Sequence, residues 1–284
     1  MENKKDIQIT FYSGVSTVTG ANFMLESLKT RLLVDCGLVQ GDPNAYEINK
    51  KPFAYDPATV DYLFVTHAHL DHIGKVCKLV RDGFRGTIYS TPETKEIANA
   101  MFLDALKVMT MKEKEVMDGI HQAPLYDALD AEKAMSLWKT IPYHKETMLN
   151  DDFTVYLKDA GHILGSSMFE FTFNGKKVVF TGDTGNSPAP LLKDTEDITD
   201  ADYLVIDSVY GDRNHESKEE RDRRFKQIVI ESIQRGGALV MPAFSIERTQ
   251  VILYELNNMI EEGIIPSVPV YLDSPLGRKV TDIY

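Results

Sequence analysis

Three of the chain's seven histidines fall within six residues, in the segment Phe64-Val-Thr-His67-Ala-His69-Leu-Asp71-His72-Ile-Gly74. His67 and His69 are two apart, so in extended backbone they point to the same side. Asp71 and His72 follow at once, where a helix would begin. That arrangement lets two imidazoles face one cation while the next turn presents a carboxylate and a third imidazole to a second. Imidazole and carboxylate together suit Zn2+, and also Mn2+ or Fe2+. A histidine-rich solvated turn is the bland alternative. An H-x-H-x-D-H pattern directly after an apolar strand argues against it, because such clusters rarely arise without a metal to satisfy them.

A two-metal site needs more ligands, and four further residues sit in suitable contexts. His162 stands in Lys158-Asp-Ala-Gly-His162-Ile-Leu-Gly-Ser166, and Asp183 in Val179-Phe-Thr-Gly-Asp183-Thr-Gly185. Each is read at a strand end between glycines, where the backbone can bend and approach closely. Taken alone, His162 is equally a turn histidine and Asp183 an Asx-turn; beside the first cluster both read as ligands. Asp35, in Val34-Asp35-Cys-Gly37, ends an apolar run. A carboxylate there would hold an imidazole N–H and fix its tautomer. Asp207, in Val205-Ile-Asp207-Ser-Val-Tyr-Gly211, ends another run the same way and is a candidate to orient a general acid or to take part in proton transfer.

The elements that must position these residues follow from periodicity. Strands are expected over Ile7–Phe11, Phe23–Ser27, Arg31–Asp35, Asp61–Thr66 and Thr87–Ser90. Further strands are expected over Thr154–Asp159, Met168–Phe173, Lys177–Thr181 and Tyr203–Asp207. Asn174-Gly175 between two of these marks a hairpin. Helical spacing covers Ile73–Asp82 and a long stretch from Pro92 to about Met117, and Asp130 is expected to cap a helix through Trp138. The four methionines of Met101–Met117 read as core rather than as a binding groove. After Asp207 the texture changes. A charge-dense helix is expected over Ser217–Arg235, a strand over Ala238–Met241, a helix over Ile246–Glu261, a strand over Val268–Leu272 and a short helix from about Ser274. The charge run Lys218–Arg224 reads as a solvated helix face rather than an RNA patch. Two clusters of strands with helices between them imply a layered α/β architecture.

Composition sets outer bounds. The 284 residues carry 31 Lys and Arg against 43 Asp and Glu, a net charge of −12. That balance argues against broad, salt-driven binding of nucleic acid by the whole surface, and leaves a local site open. No apolar run approaches the ~18 residues of a membrane span, and the first residues have no apolar signal-like region. The two cysteines, Cys36 and Cys77, have no C-x-x-C spacing; two buried thiols in a reducing cytoplasm are expected.

These residues resemble the metallo-β-lactamase superfamily, whose metal ligands occur in the same order as His67, His69, Asp71, His72, His162 and Asp183. The resemblance is closer to its β-CASP branch of nucleic-acid nucleases. It rests on Val18-Thr-Gly20 with Leu33-Val-Asp35-Cys-Gly-Leu-Val-Gln40-Gly41, on Asp159–Ser166 and on Asp207–His215. Pro242-Ala-Phe-Ser-Ile-Glu-Arg-Thr-Gln250 and Tyr271-Leu-Asp-Ser-Pro-Leu276 extend it. The prokaryotic RNA-processing members, and their relatives that cut messenger RNA at its 3′ end, look nearest. The resemblance implies an αββα sandwich over residues 1–208, incomplete at its C-terminal end, followed by the start of an α/β β-CASP domain over 209–284. It implies two zinc ions, one held by His67, His69 and His162, the other by Asp71 and His72, with Asp183 bridging. A hydroxide between the two attacks phosphorus in RNA. Asp71, Asp183 and Asp207 are then the catalytic residues. Asp207 corresponds to the first acidic motif, which pairs with a later histidine near the leaving group.

The family has two further histidines after its inserted domain, and none follows His215 here. The sequence therefore reads as an N-terminal fragment or, alternatively, as a diverged short member. His215 matches a family position, and whether it lines the site is left open; His121 and His144 lie outside any motif and read as partly exposed. The competing functions are a DNA nuclease or small-substrate hydrolase on the same fold, and an inactive fragment or partner subunit. The intact ligand set argues against the last. A cytoplasmic protein with an RNA substrate and no membrane partner is expected, and a homodimer is compatible with the reading.

Overall fold

The computed structural model describes residues 7–114, 123–214 and 216–284. His121, Met117 and His215 lie outside the described residues. The described chain divides into two units, one ending at Asp207 and one beginning at Ser208.

The first unit opens with a hairpin. β1 (Gln8–Ser13) runs antiparallel to β2 (Asn22–Glu26), and β2 antiparallel to β3 (Arg31–Val34). A short helix α1 (Ala45–Lys50) follows, and then β4 (Tyr62–Phe64), parallel to β3. The expected helix over Ile73–Asp82 is instead two pieces, α2 (Leu70–Ile73) and α3 (Val76–Arg81). The break has a cause: the Lys75 N–H leaves the helical ladder and donates to the Cys36 carbonyl at 2.8 Å. β5 (Thr87–Ser90), α4 (Pro92–Lys114), α5 (Ala128–Ser136) and β6 (Trp138–Thr140) complete this half, with β4, β5 and β6 parallel. The helix α5 is capped by Asp127 rather than Asp130. Asp127 adopts extended backbone and accepts from the Asp130 N–H, while the Asp130 carboxylate reaches back to the Asp127 N–H, a reciprocal capping box. Among the methionines of α4, Met101 is buried but Met111 is exposed, so the helix is only partly core.

The second sheet follows with β7 (Thr147–Met148), β8 (Phe153–Asp159), β9 (Ser167–Phe173), β10 (Lys176–Phe180) and β11 (Tyr203–Val205), in spatial order β11-β10-β9-β8-β7. The β9–β10 turn is tight because Asn174 and Gly175 both take positive φ, 48° and 74°, as the two-residue hairpin requires. The core lies between the sheets. Leu25, Leu32, Val34 and Phe64 of the first pack with Phe153, Val155, Leu157, Phe169, Phe171, Val178 and Phe180 of the second. Phe64 meets Phe169 and Phe171 edge-on, at 5.3 and 4.8 Å between ring centres. This is the geometry aromatic pairs prefer.

The second unit contains α6 (Lys218–Arg235), α7 (Arg248–Glu261) and α8 (Pro275–Thr281). Ser217 caps α6, and Gly236 ends it in a left-handed conformation. The charges of α6 pair along the helix itself, Glu220 with Arg223 and Arg224 at 2.8 and 2.7 Å, in keeping with a solvated face. Val229, Leu256, Met259 and Ile265 form a small core. The strands expected at 238–241 and 268–272 do not form. A strand exists only through a paired neighbour, and within the second unit neither segment has one; Val240 is 82% and Tyr271 88% exposed. No described helix is long and apolar enough to cross a membrane.

Candidate metal centre

The ends of β3, β4, β8 and β10 converge at one edge of the two sheets. After β4 the chain runs through Thr66, His67 and Ala68 to His69 in neither strand nor helix. His69 has φ −71° and ψ 148°, extended backbone, directly before α2. His67 and His69 meet on one side of the chain, and Asp71 and His72 emerge from the first helical turn. The turn is fixed by backbone. The Ala21 N–H donates to the Asp71 carbonyl at 2.9 Å, and the Cys36 N–H to the His72 carbonyl at 2.7 Å. Gly37 is needed at this crossing, because a Cβ there would stand 1.5 Å from the Asp71 carbonyl oxygen.

His162 lies in the loop after β8. Its N–H donates to Ser166 Oγ at 3.0 Å, and the Gly165 carbonyl accepts from the hydroxyls of Thr91 and Thr94. Asp183 follows β10, and the Gly185 N–H donates to the Ala160 carbonyl, which ties its turn to the His162 loop.

Two groups of ligand atoms result, one of His67, His69, His162 and Asp183, the other of Asp71, His72 and Asp183. Within each group the atoms lie within 4.8 Å of one another. His69 Nδ1 is 3.0 Å from His67 Nε2 and 3.1 Å from His162 Nε2. Asp183 Oδ2 is 3.5 Å from His162 Nε2 and 3.7 Å from His67 Nε2. In the second group His72 Nε2 is 3.1 Å from Asp183 Oδ1 and 3.8 Å from Asp71 Oδ2.

The electrostatics differ between the groups. Burial, reinforced by the neighbouring imidazoles, drives His67 far below its ordinary value and His69 down to about 3. His162 is lowered by burial as well. All three are neutral rings at neutral pH. His72 goes the other way: burial opposes its charge, but Asp35 and Asp183 more than offset it and raise it well above the usual imidazole range. Asp183 is held at about 2 by its hydrogen bond to His72 and the surrounding imidazoles, against the opposing effect of burial. Burial raises Asp71.

A divalent cation fits these donors. Tetrahedral bonds of ~2.0–2.1 Å to nitrogen and oxygen place the ligand atoms about 3.3 Å apart; four of the pairs in the first group measure 3.0–3.7 Å, and all its atoms lie within 4.8 Å of one another. Three imidazole nitrogens converge on one point, His69 Nδ1 with His67 Nε2 and His162 Nε2, and a cation there would take a lone pair from each. A His/Asp cluster of this kind supports divalent metal binding, with Asp183 shared by both groups.

Asp35 is fully buried at the end of β3 with φ +60°, a backbone that Asp tolerates better than most residues. Its Oδ2 lies 2.7 Å from His72 Nδ1, and its Oδ1 accepts from the Thr66 N–H at 2.8 Å. Asp207 joins neither ligand group. Its N–H donates to Thr181 Oγ1 at 3.2 Å beside β10, and its charge acts on His162. His144 lies away from the cluster and pairs with Glu196 at 2.6 Å. Sequence reasoning passed over Thr66, whose buried hydroxyl touches Asp35 and His67. Its only local signal is a hydroxyl residue directly before the first ligand at a strand end.

Comparison with known proteins gives the family of the chain. Residues 20–229 match the family model of the metallo-beta-lactamase superfamily. The chain is 34% identical to ribonuclease TTHA0252 of Thermus thermophilus, over 98% of this chain and 61% of that protein. It is 31% identical to the transcription termination factor FttA of Methanosarcina mazei, over 94% of this chain and 42% of that protein. It is 30% identical to cleavage and polyadenylation specificity factor 73 of Drosophila melanogaster, over 92% and 37% respectively. The chain thus spans between about a third and three fifths of the length of these relatives. With a family match across most of the first unit and a His/Asp cluster at its sheet edge, the chain belongs to the metallo-beta-lactamase superfamily.

Proposed function

We propose that this chain carries the hydrolytic centre of a two-zinc ribonuclease of the β-CASP branch, cleaving RNA phosphodiester bonds. The observation that carries the reading is one carboxylate, Asp183, shared by two groups whose candidate ligand atoms each lie within 4.8 Å of one another. The ribonuclease among its relatives supplies the substrate class. His67, His69, His162 and Asp183 would hold one cation, and Asp71, His72 and Asp183 the other. Bound there, the pair would act as a Lewis acid toward the phosphoryl group and lower the pKa of water toward neutrality. The protein's part is orientation. Asp35 holds His72 Nδ1 and leaves Nε2 turned to the second group. Asp207, anchored beside Thr181, is assigned to proton movement on the leaving-group side. Residues 1–208 form the lactamase-like domain in this reading, and 209–284 the start of the β-CASP domain. The two unpaired, buried thiols suit a cytoplasmic location.

Elemental analysis of purified, zinc-reconstituted protein should give close to two metal equivalents. Labelled RNA, labelled DNA and a small phosphodiester should be assayed in parallel, with Asp71→Ala as control. RNA cleavage lost in the control supports the reading. Preference for DNA or the small ester selects the competing hydrolase, and absence of bound metal removes the proposal.

A further inference from the structure

The geometry points to Thr66 as a positioning residue that sets the tautomer of His67 and links the two ligand groups through a single hydroxyl. The inference deepens the metal-site reading above and rests on it for its consequence, but not for its test.

The argument is a proton count. Thr66 is 1% exposed, so no solvent competes for its hydroxyl. Three groups lie around Oγ1: Asp35 Oδ2 at 2.8 Å, His67 Nδ1 at 3.1 Å and His72 Nδ1 at 3.4 Å. A hydroxyl has one proton to donate and two lone pairs. Asp35 already accepts from the Thr66 N–H through Oδ1, and its Oδ2 makes the shortest of the three contacts, so the Thr66 proton goes to Asp35. Toward His67 the hydroxyl is then an acceptor only. His67 Nδ1 must carry the ring proton, and His67 Nε2 is left as a bare lone pair. That is the nitrogen 3.0 Å from His69 Nδ1 and 3.7 Å from Asp183 Oδ2. In the other tautomer, Nε2–H would donate to His69 Nδ1, and both nitrogens would be lost to a cation.

The same Asp35 oxygen lies 2.7 Å from His72 Nδ1. One carboxylate oxygen therefore orients a ring in the second group directly and a ring in the first group through Thr66. The hydroxyl is held by packing as well. A Cβ on Gly182, the residue before Asp183, would stand 2.6 Å from Thr66 Cβ and 2.7 Å from its Oγ1. Glycine at 182 thus lets the bridging carboxylate's turn close against Thr66. The Thr66 carbonyl accepts from the Ser167 N–H at 2.8 Å, which fixes the residue from the other sheet.

The test uses Thr66→Val, which keeps the shape and removes the hydroxyl, and Thr66→Ser, which keeps the hydroxyl. In 15N-histidine-labelled protein, long-range proton–nitrogen NMR reads the His67 tautomer with and without zinc. Wild type and Thr66→Ser should show Nδ1–H in both states. Metal-free Thr66→Val should move to Nε2–H, because the buried Nδ1–H has lost its acceptor. Zinc affinity, read by competition with a chromogenic chelator, should fall about 10–100-fold in Thr66→Val and return to within a few-fold in Thr66→Ser. Nε2–H in metal-free wild type overturns the proposal without any variant, so a Thr66→Val that failed to fold would not protect it. An unchanged tautomer and affinity in Thr66→Val overturn it too. Wild type that binds no zinc defeats the metal reading, and the metal-free tautomer still decides the role of Thr66.

Discussion

Asp183 stands 3.1 Å from His72 Nε2 through one carboxylate oxygen and 3.5 Å from His162 Nε2 through the other. The two histidines come from opposite sheets, His72 from the turn after β4 and His162 from the loop after β8, and β10 delivers the residue between them. An amide in place of the carboxylate keeps the shape but loses the charge and half the acceptor capacity. Asp183→Asn should therefore bind at most about one metal equivalent by elemental analysis. RNA cleavage should fall by more than ~100-fold, since even partners that only orient ligands are worth 10–100-fold. The side chain is a third exposed, so circular dichroism should show an unchanged fold.

Asp71 and Gly37 meet in space and should behave in opposite ways. The Asp71 carbonyl, not its side chain, receives the Ala21 N–H and lies against Gly37. Asp71→Ala should abolish cleavage while the thermal transition stays within a few degrees. Gly37→Ala adds a methyl where the space is occupied by backbone and should destabilise the fold by roughly 3 kcal/mol or more, with metal content falling as a consequence. A Gly37→Ala protein as stable as wild type would show that the β3–α2 crossing is more yielding than its backbone hydrogen bonds imply.

The candidate ligands were legible because their signals are local. An H-x-H-x-D-H run, one glycine-flanked histidine and one glycine-flanked acid need only spacing, and the structure brings all six residues into two groups sharing Asp183. The main strands were legible for the same reason, since alternation from Phe153 to Phe180 is carried by consecutive residues. What was not legible depends on distant partners. Lys75 leaves its helix for Cys36, which splits the expected single helix. Trp138, expected to end a helix, begins β6 because β5 offers a parallel edge. Segments 238–241 and 268–272 have strand-like composition but pair with nothing within their unit, and composition cannot supply a partner. Thr66 showed only its place before His67, because the carboxylate that its hydroxyl meets at 2.8 Å, Asp35, lies 31 residues away in the chain.

Glu170 offers a stability test away from the site. Its side chain is 6% exposed on β9, with Lys158 at 3.1 Å and Lys177 at 3.2 Å. Beyond the ion pair, its Oε1 has no hydrogen-bond partner, so the charge depends on the two lysines. Glu170→Ala leaves both ammonium groups without a carboxylate at a largely buried position. Breaking such a cluster typically costs about 3–5 kcal/mol, and the partial exposure of Lys177 favours the lower end. Chemical denaturation should show a loss near 3 kcal/mol with metal content unchanged. Glu170→Leu should recover part of it only if the lysines can turn to solvent, which Lys158, bonded to the Asp197 carbonyl, is poorly placed to do.

The two cysteines give a pH dependence with a definite sign. Burial, against the opposing pull of Lys75 and Lys78, pushes the Cys36 thiol from 9.0 up to about 12. Burial raises Cys77 as well, by an even larger margin. In the folded state both thiols keep their protons at pH values where the unfolded chain has lost them. Between about pH 9 and pH 12 the unfolded state therefore binds fewer protons than the native one, and stability falls as pH rises. The contribution is fully present below pH 9 and is lost through the folded values. Tyr55, Tyr126 and Tyr143, all raised by burial, act in the same direction from about pH 10. Thermal melts should thus be unaffected by these groups up to about pH 9 and decline above it. At pH 8 the native protein should leave both thiols unreactive toward an aromatic disulfide reagent, because the thiolate is the nucleophile. Two equivalents should react at once in denaturant. Rapid labelling of the native protein would mean that the layer formed by β3, α2 and α3 opens easily, and with it the framework that holds Asp35 and His72 in place.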